Sequence, residues 1–529
     1  MAAINQFENI PAEKFQFAKK TDLSHDKKLD TKPVSYFQGA FRRFSKNKGA
    51  VVGGIVVLCL LLFAIIAPFF TPYRPAYYDM MYTYVSPKNS LCVKMGLDFW
   101  DGCKVKDTNK LGYLRDMAIV QETGREVIKD GEYTVSEDGS NYTYRYDTYY
   151  GIGFGKYRII SRAEYEDIQA YQNETGIQVL YPVVSLSERN QMLEKNKYDA
   201  NIYYEVENPK ASVIRPKLDA NGNIIPNYWK YEPGNETATM SKYNSLRIEG
   251  ENGLQKNGKT YYYVYGREVD GGIEVRAEYY EYYIYSHTRL KNDGITEPYF
   301  LFGTTETGKD IFACLAYGAR FSFVFAIIVA AVNFIVGVIW GSIAGYFGGK
   351  VDLFMERFSE ILGAVPTMIV ITLLKYHMGS SSQAIVLFIA FFATGWIGMA
   401  GTTRMQFYRF KNQEYVLAAR TLGASNSRIM FRHIFPNGLG TIVTSVALVI
   451  PSMIYSETSL SYLGIINLEA GNTTSVGTLI AAGQKSLMAN AAYVSFFPCA
   501  FLVLLMLSFN LFGNGLRDAF NPSLRGSED

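Results

Sequence analysis

A chain of 529 residues that is 48% hydrophobic, 19% charged and has a mean hydropathy of -0.01 is neither uniformly membrane-embedded nor uniformly water-exposed, so its apolar residues must be segregated into blocks. The net charge of +3 is accounted for by basic flanks of those blocks; no basic stripe with interleaved aromatics remains, which argues against nucleic acid as a partner. With four histidines and no His-Glu-x-x-His, Cys-x-x-Cys or Gly-x-Ser-x-Gly, a metal site or a nucleophile-elbow enzyme has no support.

Residues 1–35 mix Lys and Asp with scattered apolar residues and read as a flexible lead within an N-terminal segment 1–48. Ala50–Phe70 follows, uncharged and long enough to cross a hydrocarbon core of roughly 30 Å; the first span is placed at 49–70. It lies too far from the start for a cleaved signal peptide. Ten Lys/Arg within 1–48, including Arg42, Arg43, Lys46 and Lys48, put the N-terminus on the cytoplasmic side.

Residues 71–300 then fall outside the cytoplasm. They are dense in Tyr and hold no apolar run long enough to span. Tyr261–Tyr265 and Glu274–Tyr285 read as strands, with turn signals at Asn221-Gly222, Asn252-Gly253, Asn257-Gly258 and Asp270-Gly271. Ser161 and Glu164 have the spacing of a capping box, predicting a helix over Ser161–Tyr171. The segment is therefore expected to be an inserted β-rich α+β domain. Its Cys92 and Cys103 suit either a disulfide or two free thiols. The tyrosines suit strand packing or docking of a partner, and an external enzyme lacks a recognisable catalytic set.

Further spans are expected at Phe321–Phe347, Phe358–Leu374, Ala384–Thr402, Leu439–Tyr455 and Tyr493–Phe512, making six. Both termini then lie in the cytoplasm, with a tail at 516–529. So does the loop 403–437, which carries Arg404, Arg409, Lys411, Arg420, Arg428 and Arg432, whereas loops 375–383 and 459–492 hold one Lys each. Gly337, Gly341 and Gly345 form a groove for close helix approach, as do Gly49 and Gly53. Glu457, in YSETSLSYLG, is a pathway candidate or a brace for a re-entrant turn.

The loop 403–437 is the most informative stretch. Gln413–Thr421 fits a helix with Glu414 in its first turn and Ala418 and Ala419 on a small-residue face. Gly423 suits the left-handed residue past a helix end, followed by Ala424, and Ser425 or Asn426 can cap a second helix. There Arg428 and Arg432 share one face, Met430 and Ile434 another, and Pro436 is expected to end the helix before the next span.

This string resembles the Glu-Ala-Ala coupling loop of ABC-importer permeases through Ala418, Ala419, Gly423, Ile434 and Pro436; Leu417 and Phe435 stand where that pattern has Glu and Leu. Gly303–Arg320, GTTETGKDIFACLAYGAR, together with ETSLSYLG, is similar to the C-type permease of the dipeptide/oligopeptide importer family. The resemblance covers about residues 36–70 and 300–525. It implies six helices of type I importer architecture, with a five-helix core at 301–515, plus the insertion.

The resemblance also implies a second permease subunit, two ABC ATPase subunits seated on the coupling loop and an extracytoplasmic peptide-binding protein. Arg420, Arg428 and Arg432 would pair with acidic ATPase groups or with membrane lipid. The chain itself is expected to hold no cofactor and to be free of the Gly-x-x-x-x-Gly-Lys-Ser/Thr phosphate-loop pattern, so ATP and Mg belong to the ATPase subunits. The alternative is a membrane-anchored receptor, scaffold or enzyme without transport.

Overall fold

The computed structural model describes residues 36–520 apart from 154–155, 182–216, 223–224, 226–229, 232–253, 257–258, 264, 379–382, 470–472 and 488–489. The lead 1–35, the end of the tail and the Asn252-Gly253 and Asn257-Gly258 signals lie outside the described residues. Helix α1, Tyr36–Lys46, runs into α2, Lys48–Phe70. Asn47 caps α2 by accepting from Ala50 N at 3.2 Å, and Arg43 Nε donates to Ala519 O at 2.9 Å, joining the two ends of the described chain.

The insertion contains α3 (Ser90–Lys94), β1 (Cys103–Asn109), α4 (Lys110–Thr123), β2 (Ile128–Val135), β3 (Asn141–Asp147), β4 (Lys156–Ile160), α5 (Arg162–Thr175), β5 (Leu180–Tyr181), β6 (Lys230–Tyr231), β7 (Leu254–Lys256), β8 (Lys259–Tyr263), β9 (Gly266–Val269), β10 (Gly272–Ala277) and α6 (Tyr279–Tyr285). The strands form three antiparallel sheets ordered β1-β3-β2, β4-β10-β5 with β9 also on β10, and β6-β8-β7. Asp270-Gly271 makes the β9–β10 turn, with Gly271 at φ +96°. Ser161 Oγ accepts from Glu164 N at 3.1 Å and starts α5 as its spacing predicts.

One expectation changes here, and two open alternatives narrow. The strand expected over Glu274–Tyr285 stops at Ala277. Glu278 then accepts from Glu281 N at 3.0 Å and caps α6, whose Tyr279, Tyr280, Tyr282, Tyr283 and Tyr285 are all buried; burial on every side overrides the β preference of tyrosine. Those rings, with Tyr73, Tyr82, Tyr149 and Phe300, make the main core of the insertion, which favours packing over an exposed docking face. Cys92 and Cys103 are free thiols, and burial beside Asp147 and Asp101 raises Cys103 above the usual thiol range.

The sequence also spells a phosphate-loop pattern once, Gly253–Thr260 (GLQKNGKT), contrary to the expectation that the chain is free of it. Yet β7 and β8 pair antiparallel with Lys256 opposite Lys259, so the Lys-Thr pair enters a strand and not the first turn of a helix.

Beyond the insertion come α7 (Ile311–Phe347), α8 (Gly349–Gly363), α9 (Thr367–Met378), α10 (Gln383–Phe410), α11 (Glu414–Thr421), α12 (Asn426–Tyr462), α13 (Val476–Ser486) and α14 (Tyr493–Phe520). Among the described residues α2, α7, α10, α12 and α14 are long and apolar enough to cross a membrane. The straight span expected at Phe358–Leu374 is instead the pair α8 and α9, bent by 68°; counted as one crossing, it brings the total to six. Pro366 sits in the bend, and its ring restricts Val365.

The glycine grooves are filled within the chain. A Cβ on Gly337, Gly341 or Gly345 would lie 2.7 Å from Met399 Cβ, 2.2 Å from Ala400 O and 2.7 Å from Arg404 O, so α7 and α10 touch backbone to backbone. Each glycine costs about 1 kcal/mol of helix propensity against Ala, which this close packing must offset. Gly53 does the same for α2 against Ser508 O and Leu511 of α14.

The insertion joins the helices through a closed neck. Thr304 N donates to Val85 O at 3.1 Å and Val85 N to Thr304 Oγ1 at 2.8 Å, Asp79 N donates to Gly308 O at 3.3 Å, and Lys88 N to Phe300 O at 3.1 Å. Asp310 accepts from Phe312 N and Ala313 N and caps α7.

Candidate functional site: a basic elbow between two spans

The chain between α10 and α12 folds as a cornered elbow. Gln413 is extended and α11 starts at Glu414. Gly423 turns the corner at φ +80°, and no atom lies within 4 Å of where a Cβ would sit. The demand for glycine is therefore conformational, not steric. Ser425 Oγ then accepts from Arg428 N at 3.4 Å and starts α12.

One face of the elbow is glued to the ends of α7 and α10. Val416, Ile429, Met430 and Ile434 are buried against Tyr346 and Phe407, with Ile343, Phe410, Ala424 and Phe435 packed around them. Burying four such side chains contributes roughly 6–12 kcal/mol before ordering costs. Tyr346 Oη donates to Asn426 Oδ1 at 2.8 Å, and Lys411 Nζ donates to Gly345 O at 3.0 Å. Burial raises the Tyr415 phenol, which accepts from Asn437 Nδ2 at 3.1 Å.

The opposite face is open. Glu414, Ala418, Arg420, Arg428, Arg432 and Pro436 are exposed, Ala424 is half-buried and Ala419 is buried. Ala418 and Ala419 thus face different ways and do not form one small-residue surface. The Arg420 guanidinium lies 6.0 Å above the Tyr346 ring. Among the described residues neither Arg428 nor Arg432 has an ion-pair partner, so their charges point outward together.

Pro436 does not end the helix. The π turn Ile429–Ile434 runs straight into the α-helical remainder of α12, with Pro436 in its first turn. A wide turn directly upstream gives the proline ring room where a regular helix would clash.

Two functional-looking features escaped sequence reading. Leu422 is 88% exposed at the corner itself, placing an apolar tip among the arginines. Behind the elbow, Arg404 on α10 donates to Asp352 Oδ1 and Oδ2 at 2.5 and 2.7 Å and to Glu356 Oε1 and Oε2 at 3.0 and 2.8 Å, while Tyr408 Oη donates to Asp352 Oδ2 at 2.7 Å. This fork pins α8 to α10. Its signal in the sequence was a pair of carboxylates four residues apart opening an apolar helix.

Glu457 lies within α12, is 1% exposed, and accepts from Ser322 Oγ of α7 at 3.1 Å and Ser461 Oγ at 3.0 Å. A Cβ on Gly477 of α13 would lie 3.1 Å from its Oε1. It braces three helices and sits apart from the elbow.

Five membrane-length helices and a bent pair define a polytopic membrane protein with a cornered basic loop between two of its spans. Two family descriptions match the chain: the inner membrane component of binding-protein-dependent transport systems over residues 337–526, and the N-terminal transmembrane domain of oligopeptide transport permease C over 35–87. Residues 88–336 lie outside both.

The oligopeptide transport system permease protein OppC of Bacillus subtilis is 41% identical over 254 residues, 48% of this chain and 82% of the relative. The dipeptide permease DppC of the same organism is 39% identical over 224 residues, covering 42% and 69%. OppC of Escherichia coli K12 is 39% identical over 224 residues, covering 42% and 72%. A chain of the inward-facing MetNI methionine ABC transporter aligns at 16% identity with a TM-score of 0.31, covering 39% of this chain and 96% of that one. The chain belongs to the OppC/DppC family of ABC-transporter permeases, as a multi-pass membrane protein carrying a large insertion.

Proposed function

We propose that this chain forms, with a second permease subunit, the membrane path of an ATP-driven importer of peptides. Two ABC ATPase subunits, which hold the ATP and Mg, dock on the elbows of the two permeases, and an extracytoplasmic binding protein delivers the peptide. Both termini and the elbow lie in the cytoplasm, and the insertion lies outside. The elbow carries this reading: it is fixed on its inner face to α7 and α10, and presents Leu422, Arg428 and Arg432 on its outer one. An ATPase cleft that closes on such a corner moves α12 with it. A receptor or scaffold without transport leaves this corner with nothing to do.

The test is a photocrosslinking amino acid at Ser427 or Leu422 in the assembled complex. Covalent capture of an ATP-hydrolysing subunit is expected from both positions. Capture of none, or labelling of the elbow by an impermeant reagent added outside intact cells, overturns the assignment.

A further inference from the structure

The insertion carries an excursion whose composition does not suit water. Between Asn89 and Trp100 the chain leaves the neck and returns to it: Asn89 N donates to Trp100 O at 2.7 Å, and Lys88 bridges Asp101. Within this closed loop Leu91, Val93, Met95 and Phe99 are 66%, 42%, 72% and 61% exposed. Four large apolar side chains are thus exposed on one ten-residue loop, a concentration of the kind that marks an interaction surface.

The base of the loop says which surface. Trp100 is held at φ +63°, a conformation unusual for a bulky residue. Its Nε1 donates to Leu301 O at 2.5 Å, and its ring stacks on Phe302 and on Phe497, with centroids 6.0 and 5.6 Å apart. Phe497 is in the first turns of the membrane-length helix α14, and its neighbour Phe496 is 63% exposed. Trp100 therefore sits at the end of a membrane helix, where tryptophan is enriched because its ring is apolar and its N–H polar.

Charge fits as well. The loop's Asp98 pairs with Arg145, which also bonds Asp98 O at 3.0 Å and Asp101 Oδ2 at 2.5 Å, so one guanidinium offsets part of the charge of the two carboxylates beside the apolar side chains. Lys94, exposed on α3, supplies a long stem with an ammonium able to reach the phosphate level.

We propose that Ser90–Phe99 is a membrane-inserting loop. Leu91, Val93, Met95 and Phe99 enter the interfacial region of the lipid leaflet on the side of the insertion, and Trp100 is the hinge that seats them on α14. The loop would fix the height and tilt of the inserted domain over the membrane, in addition to the covalent neck.

The test uses the chain assembled with its partner subunits in liposomes of phosphatidylethanolamine and phosphatidylglycerol. Native cysteines are replaced and a nitroxide is attached at Met95→Cys or Phe99→Cys. Ser140→Cys, in the exposed β2–β3 turn, is the water control, and Leu58→Cys, exposed on α2, is the lipid control. Collision with oxygen relative to a water-soluble nickel chelate is expected to be several-fold above the Ser140 value and to approach that of Leu58. A ratio equal to the Ser140 value places the loop in water and overturns the proposal. Low collision with both reagents means a protein partner covers the loop and overturns it equally.

In the native-cysteine chain, Phe99→Trp should gain emission that lipids brominated near the carbonyl end quench. Unquenched extra emission would count against the loop even if the cysteine-free chain failed to fold.

Discussion

Replacing Gly423 separates conformation from contact. At φ +80° an L-residue costs about 1–2 kcal/mol, more when β-branched and least for Asn. Nothing within 4 Å of the built Cβ adds a clash. An energy of 1–2 kcal/mol is a factor of about 5–30 in the population of the cornered state. Gly423→Asn should therefore retain most uptake, Gly423→Ala should lose roughly 5- to 30-fold, and Gly423→Val should lose more. Complex assembly should survive in all three, because the Val416, Met430 and Ile434 contacts are untouched. The assay is peptide uptake and peptide-stimulated ATP hydrolysis in proteoliposomes, with subunit stoichiometry checked on the same preparations. Wild-type uptake by the Val variant would refute the reasoning. Equal inactivity of all three would instead mean that a partner surface tolerates no Cβ there, and the demand for glycine would be steric after all.

Gly341→Val forces a Cβ to within 2.2 Å of Ala400 O, so α7 and α10 must separate, at a cost of about 1–3 kcal/mol or more, whereas Gly398→Ala meets nothing within 4 Å and should be neutral or slightly stabilising. Thermal unfolding in detergent reads both, and an unchanged midpoint for Gly341→Val contradicts the packing. His287 is buried, its Nδ1 donates to Asp293 at 2.7 Å, and its Nε2 accepts from Tyr77 and Lys291; burial first, then the Lys291 ammonium, hold it below the usual imidazole range. The unfolded chain thus binds the proton more readily: stability from this group is complete above about pH 6.5 and declines below it, by at most about 1.4 kcal/mol per pH unit. Near-ultraviolet circular dichroism melts between pH 7.5 and 5.5 should show that slope in the wild type, and a slope unaltered in His287→Gln defeats the assignment. Removing residues 89–299 behind a short linker from Lys88 to Phe300 should leave a folded permease. The longer cut 75–295 should not, because it strips Thr304 and Gly308 of Val85 and Asp79; equal membrane yields would contradict this.

Much of this was legible in local sequence. Apolar runs located the membrane helices, Gly423 announced the corner, and Ser161 and Glu164 announced α5, because each is decided within a few residues. What escaped depends on distant partners. Nothing near Val85 says that it pairs with Thr304, so the sequence alone puts the edge of the permease at residue 70, although the family match runs to 87. Tyr279–Tyr285 has strand propensity and became a helix because the insertion's core surrounds it. Pro366 bends a run that hydropathy reads as continuous, while Pro436, the stronger stop signal on paper, is absorbed by the π turn beside it. Pro451 and Pro498 are likewise carried inside α12 and α14, so a proline by itself does not place a helix boundary.

The continuity of α12 gives the elbow its mechanical meaning. From Asn426 to Tyr462 it is one 37-residue helix, about 55 Å at 1.5 Å per residue. A rod of that length tilted by about 5° at the elbow carries its far end roughly 5 Å. There Glu457 is bonded to Ser322 of α7, and Gly477 of α13 lies against Thr458 without room for a Cβ, so the displacement cannot stay in one helix. Near the elbow, Arg404 holds α8 to α10, and α8 leads into the bend before α9. Motion imposed at Arg428 and Arg432 would thus reach both faces of the membrane by two routes. One is a continuous helix, with the π turn and Pro451 in its length, that ends at a buried carboxylate, and the other is an ionic fork that leads to a bend. The close contact of Gly337, Gly341 and Gly345 with α10 leaves α7 and α10 the least room to move against each other, so the bend between α8 and α9 is where an imposed displacement would be taken up.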